Sequence, residues 1–145
     1  MKQRLGLVLL VALLTGCAGL PAVTPGNQAA APKHYGSADI LREADRLASQ
    51  VKDGELNRVE AADRLNRYRL AHVGHNAVDD NTFTLYRSLA VAREQNRLSQ
   101  DESMARMHSR LIEWQNRWPE MARRPANPAF TNFLMTVYGL PPLTR

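Results

Sequence analysis

The chain has 145 residues, 44% of them hydrophobic and 23% charged, with one Cys and a formal charge of +5. That length fits one domain and excludes a doubly wound nucleotide-binding enzyme with a second substrate domain. One Cys excludes an intramolecular disulfide framework and a Cys-rich zinc site, and the apolar fraction argues against a wholly disordered chain.

Lys2 and Arg4 give a short positive start, and Leu5 to Leu14 is an apolar run broken only by Gly6. At about 1.5 Å per residue, ten helical residues fall short of a ~30 Å hydrocarbon core, so the run reads as the apolar region of a secretory signal. Leu14-Thr15-Gly16-Cys17 follows. This resembles the lipobox of bacterial lipoprotein precursors, a resemblance confined to residues 1–17. It implies that residues 1–16 are a signal peptide, that the Cys17 sulfur takes a diacylglyceryl group, and that the new amino terminus is acylated. The chemistry suits Cys because a thiolate is the nucleophile required. Three acyl chains would anchor the protein firmly, where one anchors only marginally. Ala18 stands where enterobacterial-type lipoproteins retained in the inner membrane carry Asp. The resemblance therefore implies a protein of the outer membrane, lipid-anchored and facing the periplasm. Lys2 and Arg4 would leave with the signal, making the basic balance milder.

Residues 17–36 read as the lipidated Cys and a tether. Pro21, Pro25 and Pro32 interrupt any helix, Gly19, Gly26 and Gly36 add freedom, and no apolar periodicity appears. Fully extended, such a linker spans about 65 Å.

Residues 37–145 read as a helical domain. Ser37 is the expected N-cap of a first helix, with Ile40, Leu41, Ala44, Leu47, Ala48 and Val51 at helical spacing. Gly54 ends it in a left-handed turn. A second helix starts near Asn57, with Glu60 completing a capping-box variant, and carries Val59, Ala62, Leu65 and Tyr68 before Gly74. A third runs from about Asp79 through Phe83, Tyr86, Leu89 and Ala90 to Asn96. Ser99 and Glu102 form a capping box for a fourth, whose seam is Met104, Met107, Leu111, Trp114 and Trp118, ended by Pro119. Asn127 is the expected cap of a short fifth helix with Pro128 in its first position, an apolar face of Phe130, Phe133, Leu134 and Val137, and a stop at Gly139 and Pro141.

A shift of 42 residues lays Leu47-Ala48 on Leu89-Ala90, Gly54 on Asn96, Leu56 on Leu98, Asn57 on Ser99 and Glu60 on Glu102. The unit is helix, left-handed turn, buried Leu, cap, helix. The predicted fold is all-α: two αα-hairpins packed face to face in a small bundle, with the short C-terminal helix covering one open side.

Candidate chemistry is thin. The turn Asp53-Gly54-x-Leu56-x-x-x-Glu60 resembles half an EF-hand loop, but the first and third loop positions hold Ser49 and Val51, and in the second copy Val91 and Arg93. These cannot hold calcium. His72 and His75 precede Asp79 and Asp80, but Gly74 separates them in a loop that fixes no geometry. No nucleophile elbow or phosphate loop occurs. Glu60–Arg64, Asp63–Arg67 and Glu113–Arg117 are spaced as i,i+4 ion pairs. The reading expects no catalytic residues, no cofactor and no metal.

Arginine outnumbers lysine 16 to 3, with Arg58, Arg64, Arg67 and Arg69 on the second helix. Nucleic acid is an implausible partner for an exported chain. Arg64 and Arg67 are candidates for a surface facing anionic lipid headgroups or an acidic partner, and Trp114 and Trp118 for an aromatic groove if they are not core. The expected function is a non-enzymatic binding or assembly accessory factor with a protein partner in the envelope. In layout the chain is similar to secretion-system pilot proteins. A small envelope hydrolase and a structural lipoprotein contacting peptidoglycan are the alternatives.

Overall fold

Local start and stop signals place the helix ends. The computed structural model describes residues 34–144 and has five α-helices: α1 (Ser37–Lys52), α2 (Arg58–His72), α3 (Ala77–Glu94), α4 (Gln100–Arg117) and α5 (Ala129–Val137). A 3-10 turn, Trp118–Glu120, follows α4, and there is no strand among the described residues. The fold is all-α.

The two turns that join α1 to α2 and α3 to α4 share one local chemistry. Gly54 has φ 76° and Asn96 has φ 55°, the left-handed region that Gly and Asn enter at least cost. Their N–H groups donate to the carbonyls of Val51 and Arg93 at 3.2 and 3.1 Å, closing each helix. Leu56 and Leu98 then turn into the core. Both following helices carry reciprocal caps. Asn57 Oδ1 accepts from the Glu60 N–H at 2.8 Å, and Glu60 accepts from the Asn57 N–H at 3.0 Å. Ser99 and Glu102 exchange the same pair of bonds at 3.2 and 2.9 Å.

Two helix starts differ from expectation. Gly36, not Ser37, is the N-cap of α1, because Asp39 reaches back to accept the Gly36 N–H at 2.8 Å. Helix α3 begins two residues before Asp79, because Asn76 accepts the Asp79 N–H at 2.9 Å and so caps it.

The larger difference lies in α5. Its cap is not Asn127, whose side chain donates to the Tyr35 carbonyl at 2.9 Å, and Pro128 sits before the helix rather than in its first position. The first turn of α5 is capped from another helix. Asp79 of α3 accepts the N–H groups of Phe130 and Thr131 at 3.2 and 2.9 Å and the Thr131 hydroxyl at 2.8 Å. A negative side chain meets the positive end of the helix with its free donors satisfied. Asp79 is fully buried, so this junction has no access to water.

Nor does α5 merely cover an open side. Six of its nine residues are buried, including Phe130, Phe133, Leu134 and Met135. Phe130 lies 5.6 Å from both Phe83 and Tyr86, edge to face. A helix apolar on nearly all sides belongs inside. It packs against α1, α3 and, more lightly, α4. The tail after it folds back: Leu143 is buried, and its N–H and carbonyl bond the Asn132 side chain at 2.7 and 3.1 Å.

Because α5 takes the centre, the two hairpins do not close face to face. Helix α2 packs on both α1 and α3, α3 packs on α4, and neither α1 nor α2 forms a substantial interface with α4. Arg87 of α3 holds Asp63 of α2 through two bonds of 2.6 and 3.0 Å. The space left between α1, α2 and α4 is a groove.

Candidate functional site

The groove is built from helical spacing. Its floor is one buried apolar side chain from each of four helices: Leu47, Leu65, Leu89 and Met107. Ala44 and Ala48 of α1, Ala61 of α2 and Ala90 of α3 line its walls, and their small side chains leave the space unfilled. The free volume is about 300 Å³. Tyr86 and Tyr138 also line it. Burial pushes both phenols above their ordinary value, so they stay neutral and can only donate or accept hydrogen bonds.

Two guanidinium groups, Arg58 and Arg93, line the groove, and no carboxylate does. Arg58 pairs with Glu94, which stands outside the lining, at 3.2 Å. Arg93 donates to the Gln100 side chain at 3.2 Å.

At Met104 and Tyr138 the groove passes into a shallow shelf lined also by Ala105, His108, Ser109 and Val137. Met104 is 48% exposed and Val137 56%; these are the large hydrophobic residues that stand exposed among the described residues. Met104 was expected in the buried seam of α4. It turns outward because α1 and α2 do not close over α4. Val137 likewise leaves the buried face of α5.

Trp114 and Trp118 are 7% and 6% exposed and belong to the core, as the seam of α4 predicts, which excludes the alternative in which they line a partner surface. Arg117 and Arg124 cover their rings at 5.4 and 5.9 Å, and the Trp118 indole N–H donates to the Thr144 carbonyl at 2.5 Å. Arg64 and Arg67 are exposed on α2, and neither lines the groove.

Arg69 departs from the solvated face expected of α2. It is 2% exposed, donates to Asn66, Asp80 and the Gly74 carbonyl, and lies over Phe83. A buried guanidinium with these acceptors clamps the α2–α3 turn. The expected i,i+4 pairs are replaced. Glu60 serves its cap, Asp63 takes Arg87, and Glu113 takes Arg110.

His72 and His75 do not converge. His72 Nδ1 faces the Tyr68 carbonyl at 2.8 Å and its ring stacks near Tyr35 and Tyr68, whereas His75 faces Asp80 at 3.2 Å. Among the described residues no group of three or more His, Cys, Asp or Glu side chains comes together. No described helix is long and apolar enough to cross a membrane. Cys17 and the lipobox residues Leu14, Thr15 and Gly16 lie outside the described residues.

Sequence reasoning named Arg58 within a cluster but missed the groove. Ala48, Ala90 and Met104 were assigned to apolar stripes, and Tyr138 and Arg93 were given no role in binding. A stripe of small residues on facing helices was the available signal. Comparison of the chain with protein-family models, with curated proteins and with solved structures finds no match.

Proposed function

We propose that the chain is a lipid-anchored protein of the bacterial envelope that acts by binding, as a non-enzymatic accessory or assembly factor, and that the groove is where its protein partner docks. The observation that carries this reading is the placement of exposed apolar surface. Met104 and Val137, the large hydrophobic residues left in water, both flank the same apolar groove. Contiguous exposed apolar surface with a polar rim is characteristic of interaction sites. Methionine adds a side chain that adapts to an incoming shape.

The anchor comes from Leu14-Thr15-Gly16-Cys17, and the proline-bearing segment behind it provides reach. Ala18 after the Cys favours the outer membrane. An anchored domain with a docking groove can hold or escort a partner at a membrane without chemistry of its own.

The test is formaldehyde crosslinking in intact cells followed by membrane fractionation. Wild type should be recovered with membranes in a discrete crosslinked complex. Cys17→Ala should release the chain from the membrane fraction, and Ala48→Arg, which fills the groove from an exposed position, should abolish the complex while leaving anchoring intact. A wild-type chain that fractionates as soluble protein, or a complex indifferent to Ala48→Arg, would contradict the proposal.

A further inference from the structure

We infer that the occupant of the groove is an amphipathic helix of the partner protein, with its apolar face on the groove floor and acidic side chains on Arg58 and Arg93. The inference rests on the docking reading above.

Charge selects the partner's sign. The groove and shelf carry two guanidinium groups and no carboxylate. Glu94 offsets Arg58 from outside the lining, whereas Arg93 bonds the neutral Gln100 and has no carboxylate partner among the described residues, so the surface keeps a net positive charge. The arginines have donors to spare. A guanidinium offers five N–H groups. Among the described residues, the Arg58 side chain gives one nitrogen to Glu94, and Arg93 gives one to Gln100. Both bonds are long, at 3.2 Å, and an incoming carboxylate can add shorter, forked ones.

Shape selects a helix. The cleft is walled by helices whose lining includes four alanines, which let another backbone come close, and it continues past Met104 to Val137. An amphipathic helix fills such a path with anchors at i, i+3, i+4 and i+7. The chain's own residues 18–33 offer no Asp or Glu to meet the arginines. A second copy fits no better, because a two-fold contact through this groove brings the same arginines face to face.

The test places p-benzoylphenylalanine at position 104 in the full-length lipidated chain in living cells, with the same residue at position 64 as a second site. Adducts are identified by mass spectrometry. The expected adduct at position 104 is a protein segment with an apolar helical stripe flanked by Asp or Glu. Its yield should fall roughly tenfold in the Arg58→Gln/Arg93→Gln chain and be largely retained in Arg58→Lys/Arg93→Lys. A synthetic copy of the captured segment should bind the wild-type chain and weaken roughly tenfold when its acidic residues become Asn or Gln, which decides the matter even if the arginine variants fold poorly. Capture of a lipid acyl chain, of a second copy, of residues 18–33, or of a segment without acidic residues would overturn the inference, as would a yield indifferent to both arginines. An adduct at position 64 with none at 104 would overturn it and leave partner binding standing. No protein adduct at either site would overturn both readings.

Discussion

Replacing Asp79 tests whether α5 is held by a cap from another helix. Three α5 donors converge on this one carboxylate, the Phe130 and Thr131 N–H groups and the Thr131 hydroxyl, with the Asn76 amide as a fourth at 2.9 Å. Loss of a helix cap costs about 1 kcal/mol. Each buried donor left without a partner adds about 1–3 kcal/mol, and Thr131 is fully buried, so water cannot take the vacated place without rearrangement. Asp79→Ala should therefore lower stability by about 3–5 kcal/mol, a range that allows for non-additivity within one network. Asp79→Asn keeps one acceptor oxygen and should cost about 2 kcal/mol. Urea denaturation followed by circular dichroism measures both. Asn127→Ala is the control, because an exposed amide holding one carbonyl should cost under ~1 kcal/mol. If Asp79→Ala unfolds at the wild-type midpoint, or if Asn127→Ala is the more damaging change, the cross-helix cap is wrong.

The hairpin turns and the core give further expectations. Nothing lies within 4 Å of a Cβ built on Gly54, so Gly54→Val should lose only the ~1–2 kcal/mol of left-handed backbone strain, whereas Asn96→Gly should be neutral or slightly stabilising; equal losses in thermal melts would refute this. Trp118→Ala should cost about 3–5 kcal/mol as a core deletion, and a loss of partner binding with stability unchanged would return Trp118 to the surface. Arg87 hydrogen-bonds the Asp63 carboxylate and, outweighing the opposing effect of burial, holds it below its ordinary value of 3.8. A lowered native value means that this contribution is complete above about pH 4 and disappears as pH falls through the native value. Asp63→Asn should thus flatten part of the acid limb of the stability profile, and an unchanged limb measured from pH 5 to pH 2 would contradict the pair.

What the sequence announced and what it hid divide along physical lines. Asn57 with Glu60, Ser99 with Glu102, and the left-handed Gly54 and Asn96 are local arrangements, complete within a few residues, and their spacing alone identifies them. Asp79 could not be read this way. Its partners lie some fifty residues on, and in sequence it is one more acid in the first turn of a helix, where α3 itself would welcome it. Arg69 looks like its exposed neighbours Arg64 and Arg67 until Asn66, Gly74 and Asp80 fold around it. Met104 keeps the same helical step as Met107 and Leu111, yet periodicity cannot say whether a partner helix arrives to cover it. The groove lies where α1 and α2 leave α4 uncovered, and the α5 residues buried against α1 and α3, Phe130, Thr131 and Met135 among them, are far along the chain from the α1, α2 and α3 residues that line it.

The central claim is that the groove is filled in the cell. The chain's one Cys is the proposed lipid site, so Ala48→Cys would place a unique free thiol in the groove, and Arg64→Cys would place one on the open face of α2. Labelling with a small maleimide, in intact cells and again after the chain is purified, compares the two positions directly. The account predicts that position 48 is shielded in cells and reacts freely once purified, while position 64 reacts comparably in both. Equal reactivity of position 48 in cells and in the purified chain would contradict it.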